Sequence, residues 1–268
     1  MPNGGELLRK LRLERALTLE DLEAESGVSC RALSNIELGV TRRPTAGTLN
    51  AILAALQHCA PVSMEERRAV YIAYGHHPPC PLPTGAEIAA ARAGWRGEYG
   101  SDYVPTYMID VSQRLLAWNG VAPRMVGLHP RDRRTQHFEN ATTIDLAFGL
   151  AQRFVEIENA EDYRCSFVDT LVRELRLYAT EGWYTPCLAA AQQRYPEFKR
   201  LWEMEHPPPV SPIGCPVPLK LRLPGYNDVL IFCRVKIPFV GDPRFQTVVW
   251  LPVGTTTWRT WTEKMVQV

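Results

Sequence analysis

The stretch HHPPCPLPTG at residues 76–85 divides the chain. Its four prolines cannot continue a helix, because each lacks a backbone N–H and its ring collides with the preceding turn. The segment reads as a stiff linker, and the apolar pattern differs in kind on its two sides. Before it, apolar residues recur at helical spacing; after it come runs of β-branched and aromatic residues bounded by turn residues. A chain of 268 residues can bury two separate cores. The expected division is a helical domain over 1–75, the linker and a connecting helix over 76–102, and a mixed domain over 103–268.

Five short helices are expected in the first part. Leu7, Leu8, Leu11 and Leu13 lie at helical spacing. Thr18 caps the second helix, and Asp21 three residues on completes a capping box. Ser29 caps the third and Gly39 ends it. Thr45 opens the fourth, with Leu49, Ile52, Leu53 and Leu56 on one face; Ser63 and Glu66 form a second capping box for the fifth. In the second part VPTYMIDV, RLLAWN, VPLKLRL, DVLIFCRVKI and FQTVVWLPV read as strands, with residues 140–205 helical between the second and third. The expectation is a five-stranded antiparallel sheet with helices on one face, an α+β layer.

Residues 27–39, GVSCRALSNIELG, carry the first functional signal. On a helix at about 100° per residue, Leu33 and Ile36 fall on one side and Arg31, Ser34, Asn35 and Leu38 on the other. Arginine and asparagine make paired hydrogen bonds to guanine and adenine edges. Gly27 supplies the tight turn after the preceding helix. The segment LTLEDLEAESGVSCRALSNIELGVTRRP resembles the helix-turn-helix of the lambda-repressor/Cro-like (xenobiotic-response-element, XRE) family of bacterial transcription regulators. The resemblance implies a base-facing set of Cys30, Arg31, Ser34 and Asn35. It implies phosphate contacts from Thr18, Ser29, Arg42 and Arg43, and a structural ion pair between Arg12 and Glu37. It implies double-stranded DNA as partner and a homodimer matched to a two-fold operator. Residues 1–75 hold nine Lys/Arg and nine Asp/Glu, so the basic field must be local to Arg31, Arg42 and Arg43.

The second part resembles the ligand-binding domain of MmyB-like transcription regulators over roughly residues 103–253. VPTYMIDVSQRLLAWNGVAPRMVG and YPEFKRLWEMEH carry the likeness, and the proline-rich HPPPVSPIGCPVP departs from it. The resemblance implies a PAS-like fold that senses a fatty acid or similar apolar molecule. The candidate lining is Ile109, Trp118, Asn119, Met125, Phe138, Phe148, Phe154, Phe167, Trp202 and Phe232. Each competes with a plain core role, which periodicity cannot separate from a pocket. Arg164, Arg173, Arg176 and Arg194 are candidates to pair with a carboxylate, against the ordinary reading as solvated helix faces.

The remaining signals exclude more than they assign. Nucleophile-elbow, zincin, P-loop and dinucleotide-binding motifs are absent, so no enzyme and no cofactor is expected. Seven cysteines without a C-x-x-C suit reduced thiols, and no apolar run suits a membrane span, which together give an expected cytoplasmic location. The rival function is a metal- or redox-responsive regulator using His58, Cys59, His76, His77 and Cys80.

Overall fold

The structure, a computed structural model, describes residues 3–100, 103–129, 131–138, 141–150, 155–204, 217–223 and 228–265. Phe154 and most of the proline-rich stretch, residues 206–216, lie outside the described residues. The chain falls into two compact units, one of Met1–Pro79 with Val240–Asp242 and the other of Cys80–Phe239 with Pro243–Val268.

The first unit is helical: α1 (Gly4–Glu14), α2 (Leu19–Ser26), α3 (Cys30–Glu37), α4 (Ala46–Cys59) and α5 (Met64–Ala73). Side chains stop and start these helices. Thr18 and Asp21, then Ser63 and Glu66, form reciprocal capping boxes, while Ser29 and Thr45 each accept a backbone N–H at the third helical position. Gly27 takes the left-handed conformation, φ 69°, that turns the chain between α2 and α3. Leu8, Leu11, Leu22, Leu33, Ile36, Leu49, Ile52, Leu53 and Leu56 form the core with Val70, Tyr71 and Tyr74.

Two features hold α3 against α1. Arg12 donates from Nε and Nη2 to the two carboxylate oxygens of Glu37, both at 2.7 Å, and from Nη1 to the Leu17 carbonyl at 2.8 Å. The two side chains are only 9% and 8% exposed, and the carboxylate holds the Arg12 guanidinium above its ordinary pKa. At Gly5 the approach is closer still: a Cβ there would stand 2.3 Å from the Glu37 carbonyl oxygen and 2.6 Å from that of Ile36. Backbone cannot yield as a side chain can, so any larger residue at 5 pushes the two helices apart.

The second unit carries a six-stranded antiparallel sheet in the order β2-β1-β6-β5-β4-β3. The strands are β1 (Thr106–Asp110), β2 (Leu115–Trp118), β3 (Glu156–Ile157), β4 (Leu219–Arg222), β5 (Val229–Pro238) and β6 (Phe245–Pro252). The five strands expected are present; the sixth is the two-residue β3, which pairs with β4 through Glu156–Arg222 and Ile157–Leu221. Helices were expected on one face, and here the structure differs. The helices α7 (Thr143–Asp145), α8 (Ala160–Leu175), α9 (Tyr184–Arg194), α10 (Pro196–Glu203) and α11 (Gly254–Met265) accompany the larger core. In contrast α6 (Gly85–Tyr99) packs elsewhere, burying Ile88 and Trp95 with Met108, Leu116, Ala117 and Phe245. The Trp95 indole donates to Thr247 Oγ1 at 3.2 Å. Because side chains alternate along a strand, Met108 and Ile109 must serve opposite faces, and the sheet is covered on both.

Candidate nucleic-acid interface and ligand cavity

Helix α3 is two-sided. Leu33 and Ile36 are 2% exposed, whereas Arg31 and Leu38 are exposed and Ser34 and Asn35 half-buried on the opposite side. Arg31 and Arg42 make no hydrogen bond or ion pair among the described residues, and Arg42 and Arg43 are exposed. Arg43 donates from Nη2 to the Gly75 carbonyl at 3.3 Å, which restrains its stem.

The two cap residues differ in what they have left to offer. Thr18 donates its hydroxyl to Asp21 at 2.7 Å and accepts the Asp21 N–H at 3.1 Å, so its hydroxyl hydrogen is committed. Ser29 accepts the Ala32 N–H at 3.3 Å and keeps its own hydroxyl hydrogen for a partner.

The sequence reading did not single out Glu23. Its carboxylate accepts the Cys30 N–H at 3.0 Å and so sits at the start of α3, where the helix dipole favours negative charge. The Cys30 thiol is also hydrogen-bonded to Glu23, which pushes its pKa up to about 11. Thiolate is the reactive form, so Cys30 is a poor nucleophile near neutral pH. Glu23→Gln is expected to bring the thiol back toward its ordinary range and speed its alkylation at pH 8. Peptide-resolved mass spectrometry after iodoacetamide treatment reads this, and equal Cys30 rates in both proteins would contradict it. The signal available in the sequence was an acid seven residues before Cys30, spanning the turn.

Two histidines of the metal reading have other partners. His58 Nδ1 lies 3.4 Å from Glu25, and the His76 ring meets the Pro44 carbonyl at 2.7 Å. Among the described residues no three His, Cys, Asp or Glu side chains converge as metal ligands.

In the second unit a cavity of about 90 Å³ lies over the sheet. All six strands contribute to its lining: Tyr107, Leu115, Trp118, Ile157, Leu219, Leu221, Arg234 and Trp250. Tyr163 and Phe167 of α8 face them, and Met125, Val126 and Phe138 come from the short helical turns after β2. The wall is mostly apolar, and the lining residues that carry polar side-chain atoms are Arg234, Tyr107, Tyr163, Thr143, Trp118 and Trp250.

Four of the ten candidate lining residues, Trp118, Met125, Phe138 and Phe167, meet at this cavity. Ile109 is fully buried in the core. Phe148 packs edge-on against Phe198 at 5.5 Å, Trp202 against the same ring at 5.5 Å, and Phe232 against Trp261 at 5.3 Å. Asn119 is a joint between strands: its Oδ1 accepts from the N–H groups of Thr106 and Ala122, and its Nδ2 donates to the Val104 carbonyl at 2.7 Å.

Three of the four arginines considered as carboxylate partners are paired within the chain. Arg164 meets Glu197 at 2.7 Å, Arg173 meets Asp169 at 2.7 Å and Arg194 meets Asp145 at 2.8 Å, while Arg176 is exposed.

Among the described residues no helix is long and apolar enough to cross a membrane. No match was found among curated proteins. Residues 8–62 match the family model described as helix-turn-helix, and that match supports a DNA-binding transcription regulator of the XRE type.

Proposed function

We propose that the chain is a one-component regulator that reads operator DNA with its first unit and senses a small apolar molecule with its second. Helix α3 enters the major groove with Cys30, Arg31, Ser34 and Asn35 toward base edges, and Thr18, Ser29, Arg42 and Arg43 hold the phosphates. The observation that carries this reading is the guanidinium of Arg31, unpaired among the described residues, beside Asn35 on the solvent side of a helix whose other side is packed. Binding as a homodimer follows from the two-fold symmetry that such motifs match on DNA. The second unit supports an MmyB-like, PAS-like sensor through its order of elements, two strands, a largely helical insert and three further strands, and through its apolar cavity. Its action is binding, not catalysis, and a fatty acid is the ligand class proposed.

Selection from a pool of random duplexes tests the first half. The full chain is expected to enrich one motif with two-fold symmetry, and a pool that enriches nothing overturns the DNA reading. Organic extraction of the purified protein followed by mass spectrometry tests the second half. A fatty acid recovered in proportion to the protein supports the sensor; a delipidated chain whose melting temperature no fatty acid raises overturns it.

A further inference from the structure

We propose that the second unit holds another ligand site, a groove at the root of the linker that takes a planar aromatic acid. The groove is separate from the cavity over the sheet and does not depend on that reading. It measures about 700 Å³, within the range of about 300–1,000 Å³ usual for small-molecule sites. Its apolar lining comes from Leu82 of the linker, Ile144 of α7, Leu175 at the end of α8, and Trp183, Tyr184 and Leu188 at and after the start of α9. None of the eleven residues of α9 is buried, whereas an ordinary amphipathic helix buries a stripe along one side. The aromatic pair is held in place. The Trp183 and Tyr184 rings meet edge to face at 6.5 Å, and the Trp183 indole donates to the Cys80 carbonyl at 2.8 Å. The Cys80 N–H donates to Glu181 at 2.8 Å, so the linker is tied to the same end of α9 that lines the groove.

The charged groups at the groove are sorted by depth. Arg114 is paired with Asp110 at 3.1 Å and Arg194 with Asp145 at 2.8 Å, and both arginines line the groove. The aspartate side chains are 0% and 8% exposed, the arginine side chains 37% and 67%. Each pair therefore turns its positive end outward. Both carboxylates have further donors, the Ser112 N–H and hydroxyl for Asp110, and Thr142 and the Tyr195 hydroxyl for Asp145. Arg114 spends Nε and Nη2 on its partner and Arg194 spends Nη1, out of five N–H donors on each guanidinium. An arriving carboxylate takes up the remaining donors in charge-assisted bonds. A ring behind it lies against Trp183 and Tyr184, since aromatic rings favour edge-on and offset contact with one another. A flat ring makes this contact without the rotamer freedom that a flexible chain would lose.

2-Naphthoate and 2-naphthamide, alike in shape and different in charge, test the site. An apolar cavity of about 150 Å³ takes one benzene, so a fused ring does not fit the cavity of about 90 Å³ over the sheet, and its binding reads on the groove. Calorimetric titration of the full chain is expected to favour the acid about fivefold, the margin of partly exposed charges, and the preference should shrink as salt is added. Arg194→Gln leaves Asp145 its Thr142 and Tyr195 donors and should bring the acid close to the amide. Ala190→Glu, at an exposed position of the groove, should weaken the acid more than the amide. Cys187 maps the site without any substitution, because it is exposed and lines the groove, while the exposed Cys59 and Cys165 do not line it. Saturating 2-naphthoate should slow iodoacetamide alkylation of Cys187 and leave Cys59 and Cys165 unchanged, as read by peptide-resolved mass spectrometry. Wild-type protein that binds neither compound, binds both equally, or binds the acid without protecting Cys187 overturns the site.

Discussion

Replacing Glu37 with alanine is expected to lower the stability of the first unit by about 3–5 kcal/mol, the cost of leaving one member of a buried ion pair alone. The magnitude follows from burial. An exposed pair of the same geometry is worth about 0–1 kcal/mol, but here both side chains are less than a tenth exposed and the Arg12 guanidinium would keep only its bond to the Leu17 carbonyl. Against a typical domain stability of about 5–15 kcal/mol, that is enough to unfold a large fraction of the unit on modest warming. All seven tryptophans, the first at 95, lie beyond this unit. Loss of helical circular dichroism with unchanged tryptophan emission would therefore assign the transition to the first unit. The double variant Arg12→Met, Glu37→Leu removes both charges together and should recover most of the loss. A Glu37→Ala protein within about 1 kcal/mol of wild type would mean the pair behaves as a surface bridge. DNA binding should fall with stability in this series, because the pair and the close approach at Gly5 are what fix α3 on α1.

The contrast between what was legible in the sequence and what was not follows the physics of each element. Helix α3 was legible because a short amphipathic helix writes its own pattern: a serine cap, leucine and isoleucine three apart, and a closing glycine. The two long strands β5 and β6 were legible for a similar reason, as long β-branched and aromatic runs joined by a loop rich in glycine and proline. Strand β3 was not, since two residues carry no periodicity and the strand exists only through its partners in β4. The second face of the sheet was missed because every strand alternates, and sequence alone does not say which parity meets α6. The cavity lining was legible in part. Trp118 and Phe167 look no different along the chain from Phe148 and Phe232; only three-dimensional packing leaves space beside the first two. Arg234 did leave a trace, because Leu230, Phe232 and Arg234 share one parity of β5, and the first two are fully buried.

Replacing Arg31 with alanine is expected to weaken binding to the selected duplex by roughly 1–3 kcal/mol, or about 5- to 150-fold, and to relax the preference at one base step only. The side chain is exposed and unpaired among the described residues, so its removal disturbs no internal hydrogen bond or ion pair and the loss reads directly on DNA. Arg42 and Arg43 lie exposed beyond the closing turn of α3, and in the proposed reading they meet phosphates, so their removal should act differently. Each alanine variant should weaken binding to all duplexes alike and flatten the plot of log affinity against log salt by about 0.9 for each phosphate no longer neutralised. The formal neutrality of residues 1–75, nine basic against nine acidic, makes this separation sharp. With no broad basic field, non-specific attraction depends on a few arginines, and the total salt slope should be shallow for a helix-turn-helix protein. Glu23 works the other way: its carboxylate stands at the start of α3, and Glu23→Gln should tighten binding to every sequence by removing a charge that repels phosphate. Affinities of the wild-type and variant chains, measured on the selected duplex and on single-base variants of it across a range of salt, decide the assignment. If Arg31→Ala weakens all duplexes equally and changes the salt slope, Arg31 holds a phosphate and the base-facing side of α3 must be redrawn around Ser34 and Asn35.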